Sequence, residues 1–235
     1  MMLPKSCCRC LDFFRRHLVL LCFGLSIVTG VGVWYRAYVV PAELQRDIRN
    51  LGGKAVGPLD WVRLRGDAAS NQELVERLVS AGRPSNLEIR NGLSNGVLEA
   101  ISRMRWLRST TISVDFEPSR DAFDQMRKCA SLERIELELL NLRKEHLTSI
   151  ADCPKLELLI LRDLSIHDRI EDALSRSESL KELIVYGVDL SREESKAFVV
   201  PTNLDTLVLR DTGLSKSFVD GIRHQHPSVE VVFIE

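Results

Sequence analysis

Aliphatic residues recur between residues 59 and 235 with a period of about 24 residues. The repeating unit is LxxLxL, and its first positions are Leu59, Pro84, Leu107, Leu132, Leu156, Leu180, Leu204 and Val229. Positions one, four and six of the eight units make 24 places, and 22 of them are aliphatic; the exceptions are Pro84 and Thr110. A composition that is 45% hydrophobic would fill only about 11 of these places by chance. The sequence is therefore a true internal repeat.

Each unit predicts a short strand, a turn and a helix. After the strand, apolar residues lie three or four apart, which is the spacing of one helix face. Examples are Phe123 with Met126 and Leu147 with Ile150. Since one unit cannot bury these residues alone, we expect neighbouring units to stack so that strands and helices share a continuous core.

Four consecutive units resemble the leucine-rich-repeat family. The segments are LERIELELLNL, LELLILRDLSI, LKELIVYGVDL and LDTLVLRDTGL. The resemblance covers residues 59–235 and implies an α/β solenoid of seven to eight repeats, with a parallel sheet on the concave face and helices on the convex face. The chain departs from the best-known repeat in lacking the buried Asn or Cys after the third leucine. The residues found there instead are Leu140, Leu164, Val188 and Thr212.

The N-terminal region predicts a membrane anchor. Residues 1–16 have a local charge of +3, and residues 18–35 contain no charge. As a helix this uncharged run spans about 27 Å, close to a hydrocarbon core of about 30 Å. We expect a transmembrane signal-anchor helix over residues 17–36 with a cytoplasmic N-terminus and the repeats outside the cytoplasm, in the periplasm if the source is bacterial. A cleaved signal peptide and a buried soluble helix are the alternatives.

Residues 37–58 predict a linker and an N-terminal capping helix. Leu44, Ile48 and Leu51 share one helix face, and Gly52 is placed to end the helix in the left-handed conformation. A basic start, one apolar helix and a short helix ending in LGG also resemble the single-pass, membrane-anchored leucine-rich-repeat proteins of planctomycete bacteria.

Composition and motifs argue against catalysis and nucleic-acid binding. The net charge of −1 offers no general affinity for phosphate. No catalytic or phosphate-binding motif is present, and most histidines fall in different repeats. The pair His224 and His226 lacks further ligands at suitable spacing, which favours a solvated turn over a metal site. We therefore expect no enzymatic activity, no cofactor and no metal.

The predicted concave face changes character along the solenoid. Strand position five is Arg63, Glu88, Thr111 and Glu136 in the first four units and Ile160, Ile184, Val208 and Phe233 in the last four. Leu158 and Tyr186 join the second group, and Arg162 and Arg210 flank it at position seven. Such a stripe is typical of a contact with an apolar, acid-edged protein, although β-propensity alone also selects Ile and Val at strand centres.

Two further features leave alternatives open. Cys129 and Cys153 stand three residues before the first leucine of adjacent units. Stacked equivalents lie roughly 5 Å apart, which permits a disulfide, but two buried thiols are the other interpretation. The last predicted strand lies in VEVVFIE and leaves an edge that is either tolerated or covered, for example by self-association.

The sequence favours a non-enzymatic, membrane-anchored module that binds another protein on its concave surface outside the cytoplasm. The alternative is an assembly or adaptor subunit of a larger complex, similar to intracellular leucine-rich-repeat substrate receptors. In that case Cys129 and Cys153 stay reduced, and the open edge is buried against a partner.

Overall fold

The computed structural model describes residues 28–114, 119–139, 141–163, 165–166, 173–191 and 200–235. The chain divides into two compact units, residues 1–43 and 44–235. In the first unit, residues 28–34 are helical and Tyr35–Val39 form a π-helical turn. Within the described residues, no helix is both long and apolar enough to cross a membrane. Residues 1–27, which include the basic segment and most of the expected anchor, lie outside the described residues.

The second unit is a mixed α/β structure built on a nine-stranded sheet. Its strands are β1 (Lys54–Val56), β2 (Trp61–Arg65), β3 (Asn86–Arg90), β4 (Ser109–Val114), β5 (Arg134–Leu139), β7 (Leu158–Arg162), β9 (Glu182–Tyr186), β10 (Thr206–Arg210) and β11 (Glu230–Ile234). They pair in chain order, and every pair after the antiparallel β1–β2 hairpin is parallel. The short strands β6 (Asn141–Leu142) and β8 (Ser165–Ile166) form a separate parallel pair.

Helices alternate with these strands. The described helices are α1 (Val40–Asn50), α2 (Asp67–Ser70), α3 (Gln72–Ala81), α4 (Asn95–Ser102), α5 (Arg120–Met126), α6 (Lys144–Ala151) and α7 (Lys216–Gln225). Polar residues begin several of them, as N-cap chemistry requires: the side chains of Asn71, Ser94 and Ser215 accept hydrogen bonds from backbone N–H groups in the first turn. The order of parallel strands and intervening helices is that of a solenoid-like α/β fold.

The repeat frame places its aliphatic residues in the core. Along β2–β10, positions four and six are buried in every strand, from Val62 and Leu64 to Leu207 and Leu209. The two exceptions in the pattern are accommodated: Pro84 is buried, and the hydroxyl of buried Thr110 donates a hydrogen bond of 3.1 Å to the Leu87 carbonyl. The predicted strand period is confirmed for these seven units.

The frame predicted for the last unit is wrong by one residue. β11 pairs with β10 so that Val231 lies beside Leu207 and Phe233 lies beside Leu209. The unit therefore begins at Ser228, not Val229, and is again 24 residues from Leu204. A shift of one residue exchanges the two faces of a strand. The sequence hid this shift because the wrong frame places the aliphatic Val229, Val232 and Ile234 at positions one, four and six, whereas the correct frame places Ser228, Val231 and Phe233 there.

A regular turn follows most strands at position eight. Gly66, Asn91, Asp163, Gly187 and Asp211 all have φ between 50° and 63° there, a conformation that favours Gly, Asn and Asp. The backbone N–H of each donates to the position-seven carbonyl of the next strand in the sheet, as Asp163 does to Tyr186 at 2.8 Å and Asp211 to Ile234 at 3.0 Å. These bonds lock neighbouring units in register.

The N-terminal end of the second unit is capped as expected. Leu44 and Ile48 of α1 are fully buried, and Leu51 is half-buried. Gly52 has φ of 83°, and the N–H of Gly53 donates to the Ile48 carbonyl at 2.7 Å. The helix therefore ends at the predicted glycine in a left-handed turn. β1, which the sequence pattern did not predict, then covers the outer edge of β2.

Candidate protein-binding face

The candidate site is the sheet face that carries strand positions three, five and seven, which we name the open face. Positions four and six turn to the core, and successive side chains of a strand alternate between faces. The ladder register aligns the position-five residues of all eight strands in one row, from Arg63 on β2 to Val232 on β11. The row has two parts of different chemistry.

The charged half is the open face of β2–β5, where ion pairs link neighbouring strands. Glu88 is 7% exposed, and its carboxylate lies 2.5 Å from the Nε atoms of both Arg63 and Arg90. Arg90 also reaches Glu138 at 3.8 Å. Burial opposes ionisation of Glu88, but the hydrogen bonds and charges of the two arginines outweigh it and lower the pKa of this carboxyl. The charges of this half are therefore largely satisfied by one another.

This network ends at Arg162 on β7. Its guanidinium lies 3.1 Å from Glu136 and 3.7 Å from Glu138, and Arg134 adds a contact of 3.4 Å to Glu136. A groove of about 510 Å³ lies beside the network at the amino ends of the strands. Its lining includes Trp61, Asn86, Ser109, Arg108 and Glu133. The Arg63 guanidinium already covers the Trp61 ring, at 4.9 Å from the centroid.

The apolar half is the open face of β7–β11. Ile160, Ile184, Val208 and Val232 lie side by side at position five on four adjacent strands. Ile160 is 6% exposed because its neighbours cover it, whereas the other three and Leu158 are half-buried. The sheet thus presents a continuous row of four aliphatic side chains on a face that the core does not use.

Tyr186 borders this row and is held between two arginines. The guanidinium of Arg162 lies 5.6 Å from the ring centroid and that of Arg210 lies 4.9 Å from it. Arg162 is committed to the carboxylates of the charged half. Arg210 is 52% exposed in its side chain, and the described residues place one carboxylate against it, Asp211 at 3.4 Å. Of the two arginines predicted to flank the stripe, Arg210 is therefore the one that makes no contact with the carboxylates of the charged half among the described residues.

Phe233, predicted to lie in the stripe, belongs to the opposite face of β11. It aligns with Leu209 and Val185 in the core-facing row and is half-buried. The residues that extend the stripe are Val232 and Ile234, and Ile234 is 43% exposed. Sequence reasoning missed both through the one-residue error in the frame. The constant 24-residue spacing of the three preceding units is the signal that would have found them.

Cys129 and Cys153 are free thiols in the structure. Each is 1% exposed. The sulfur of Cys129 lies 3.6 Å from the Ile101 carbonyl and that of Cys153 lies 3.4 Å from the Met126 carbonyl. Burial raises the pKa of both thiols to about 12. They are therefore protonated near neutral pH and act as small core residues.

The histidines form no metal centre in the described part of the chain, where no group of three or more His, Cys, Asp and Glu side chains is arranged to hold an ion. His146 is buried, accepts a hydrogen bond from the Arg143 N–H and packs on Phe123 at 5.2 Å. Its role is to support the start of α6. His224 lies in the last turn of α7, and His226 follows the helix as its C-cap.

The chain matches no protein-family model, and it matches no characterised protein in sequence. The interpretation of the open face therefore depends on the residues that form it. The feature that distinguishes this face is the change from a network of mutually paired charges to a row of aliphatic side chains, and this change occurs between β5 and β7.

Proposed function

We propose that the chain is a leucine-rich-repeat protein whose role is to bind another protein, without enzymatic activity, through the apolar half of its open face. The repeat frame, the parallel strand order and the burial of positions four and six support the repeat assignment. The single observation that carries the binding proposal is the row of Ile160, Ile184, Val208 and Val232.

β-Propensity alone does not account for this row. Position five on β3, β4 and β5 is Glu88, Thr111 and Glu136, in strands of the same sheet and the same register. Strand formation at position five therefore requires no aliphatic residue. A contiguous apolar row on an otherwise polar face is the composition of a contact surface.

The chemistry of the apolar half defines the partner. Its aliphatic side chains match an apolar strip, and Arg210 beside Tyr186 provides a cation for a carboxylate at the edge of that strip. Burial of half-exposed Ile and Val side chains supplies on the order of 1 kcal/mol each. The three half-buried residues and one charged hydrogen bond therefore supply only part of the free energy of a complex, because association itself costs at least about 4 kcal/mol.

The binding proposal is tested by site-specific photo-cross-linking in cells. A photoreactive amino acid replaces Val208 in the full chain, and a matched control places the same group at Thr111 in the charged half. We expect a discrete adduct only from the first position, and its protein component is then identified and purified. Ile184→Glu and Val208→Glu should each weaken its binding by about a hundredfold, since each buries a charge in the contact. Equal adducts at both positions, or unchanged affinity in both Glu variants, contradict the proposal.

The location is a separate part of the proposal. An anchor over residues 17–36 would place the repeats outside the cytoplasm, in agreement with the uncharged run of residues 18–35. The second candidate is an adaptor subunit in a reducing compartment, where Cys129 and Cys153 would stay reduced. A C-terminal reporter that is active on only one side of the membrane decides between them. Reporter activity outside the cytoplasm supports the anchored module, and activity inside supports the adaptor.

A further inference from the structure

β11 is an outer strand of the nine-stranded sheet, and among the described residues no strand pairs with its far side. The backbone direction of each residue follows from the ladder. The Glu230 N–H donates to the Asp205 carbonyl, and the Ile234 carbonyl accepts from the Asp211 N–H. Glu230 and Ile234 therefore turn their polar groups towards β10. Because successive residues of a strand alternate, Val231 and Phe233 turn theirs to the open edge.

An arginine occupies this edge. Arg223 of α7 donates from Nη2 and Nε to the outward carbonyl of Val231, at 3.0 and 3.3 Å. Its third nitrogen, Nη1, lies 2.8 Å from Asp220, which fixes the guanidinium one helical turn away. A charged donor on a strand edge satisfies the carbonyl that an added strand would otherwise use.

The edge of β11 is self-complementary. In an antiparallel pair, two residues that face each other directly exchange both backbone hydrogen bonds. A two-fold axis at Val232 would place Val231 of one copy opposite Phe233 of the other, and both residues turn their polar groups outward. Glu230 would lie opposite Ile234, so that no like charges meet, and Val232 would lie beside its own equivalent. The apolar row of the open face would then continue from one copy into the next.

We propose that the β11 edge is a dimerisation surface for a second copy of this chain, and that Arg223 keeps it closed. The guanidinium and the incoming Phe233 N–H compete for the same Val231 carbonyl. Dimerisation through this edge requires Arg223 to leave, and removal of its side chain opens the edge. A hydrogen bond from a charged donor corresponds to about a tenfold to hundredfold change in affinity, and the two-fold pair displaces one such arginine from each copy, so the gain in dimer affinity on its removal should be at least this large.

The test is symmetric disulfide cross-linking of the full chain in a whole-cell lysate. The four N-terminal cysteines, Cys7, Cys8, Cys10 and Cys22, are first changed to serine. Val232→Cys then reports the two-fold pair, because equivalent residues at the axis face each other at about 4.5 Å between Cα atoms. Thr206→Cys on β10 is the positional control, since it lies one strand further from the axis. Copper phenanthroline is the oxidant.

With Arg223 present we expect little cross-linked dimer from Val232→Cys. Arg223→Ala should increase it about tenfold or more, and Lys216→Ala, a change at an exposed residue of the same helix, should not. Adding Ile234→Glu to Arg223→Ala should return the yield to its starting level, because the new glutamate would face Glu230 of the other copy and like charges directly opposite each other destabilise a strand pair. An unchanged yield in Arg223→Ala overturns the proposal, as does an equal yield from Thr206→Cys.

Loss of folding in Arg223→Ala would appear as rapid proteolysis of the repeats. In that case Asp220→Ala keeps both donors of Arg223 and removes only their anchor. We expect a smaller but measurable increase in the cross-linked dimer of this variant. A folded Asp220→Ala chain with no increase overturns the proposal.

Discussion

The charged half and the apolar half of the open face occupy the same sheet in the same register, yet they use position five in opposite ways. On β2–β5 this position contributes to four ion pairs, and two pairs between position-seven residues complete the network that extends from Arg63 to Arg162. On β7–β11 it holds aliphatic side chains, of which Ile160 is buried and Ile184, Val208 and Val232 are half-buried. A polar face that satisfies itself needs no partner, whereas the apolar row remains to be covered. The comparison predicts that mutations in the first half affect stability and mutations in the second affect binding.

Glu88→Ala is the strongest test of this division. It leaves Arg63 and Arg90 without the carboxylate they share, and we expect a loss of about 2 kcal/mol in the free energy of unfolding. Urea denaturation of the purified chain measures it. Glu99→Ala, at an exposed helix position, is the control and should change stability by less than about 0.5 kcal/mol. A loss in Glu88→Ala no larger than in the control would show that the charged half is not a structural network.

The two arginines beside Tyr186 test where the boundary lies. Arg162→Ala should cost about 1 kcal/mol of stability because it contacts two partly buried carboxylates. Arg210→Ala should cost less than about 0.5 kcal/mol because its pair with Asp211 is exposed on both sides. Denaturation midpoints measure both, and affinity for an identified partner should fall only in Arg210→Ala. If Arg210→Ala cost more stability than Arg162→Ala, the boundary between the charged half and the apolar half would lie on the other side of Tyr186.

Acid should weaken the charged half selectively. The pKa of Glu88 is lower in the folded chain than its unfolded value of about 4.3. Its ionisation therefore contributes stability that is fully present above this unfolded pKa and is lost as pH falls through the folded pKa. Glu88→Gln should remove this contribution. The stability difference between the parent chain and the variant should be constant above about pH 5 and shrink towards pH 2.5; a constant difference throughout would contradict the linkage.

The thiols at the junction of the halves should have the smallest effect. Cys129 and Cys153 have pKa values of about 12 and are buried, so we expect neither to react with a thiol reagent at pH 8 in the folded chain. The native thiol count of the parent should equal that of a variant with both changed to Ala. In denaturant the parent should show two more. A native count that differs by two would indicate that this part of the core opens readily.

The core was predictable from the sequence because it depends on a period that eight units repeat. Val62 and Leu207 are both buried because both occupy position four of the repeat, so a single repeat frame predicts the burial of both. The open face was less predictable, since the partners of Glu88 lie on different strands or two residues away, and only the register brings them together. The face of β11 on which Phe233 lies depended on a difference of one residue in the spacing of the last unit. Arg223 could not be assigned to the Val231 carbonyl at all, because that contact depends on the position of α7 against β11.

Because of the left-handed turns at position eight, the number of residues in the repeat region can change only by whole repeats. Each turn forms its hydrogen bond to the carbonyl that ends the next strand, and Asp163 and Asp211 do so with the same geometry although different units follow them. Removal of residues 84–106, one whole unit, would bring the Gly66 N–H opposite the Ser113 carbonyl, an equivalent acceptor. Removal of half a unit would leave that donor without one. Duplication and loss of sheet segments in such a chain are therefore compatible with folding only in whole multiples of the repeat.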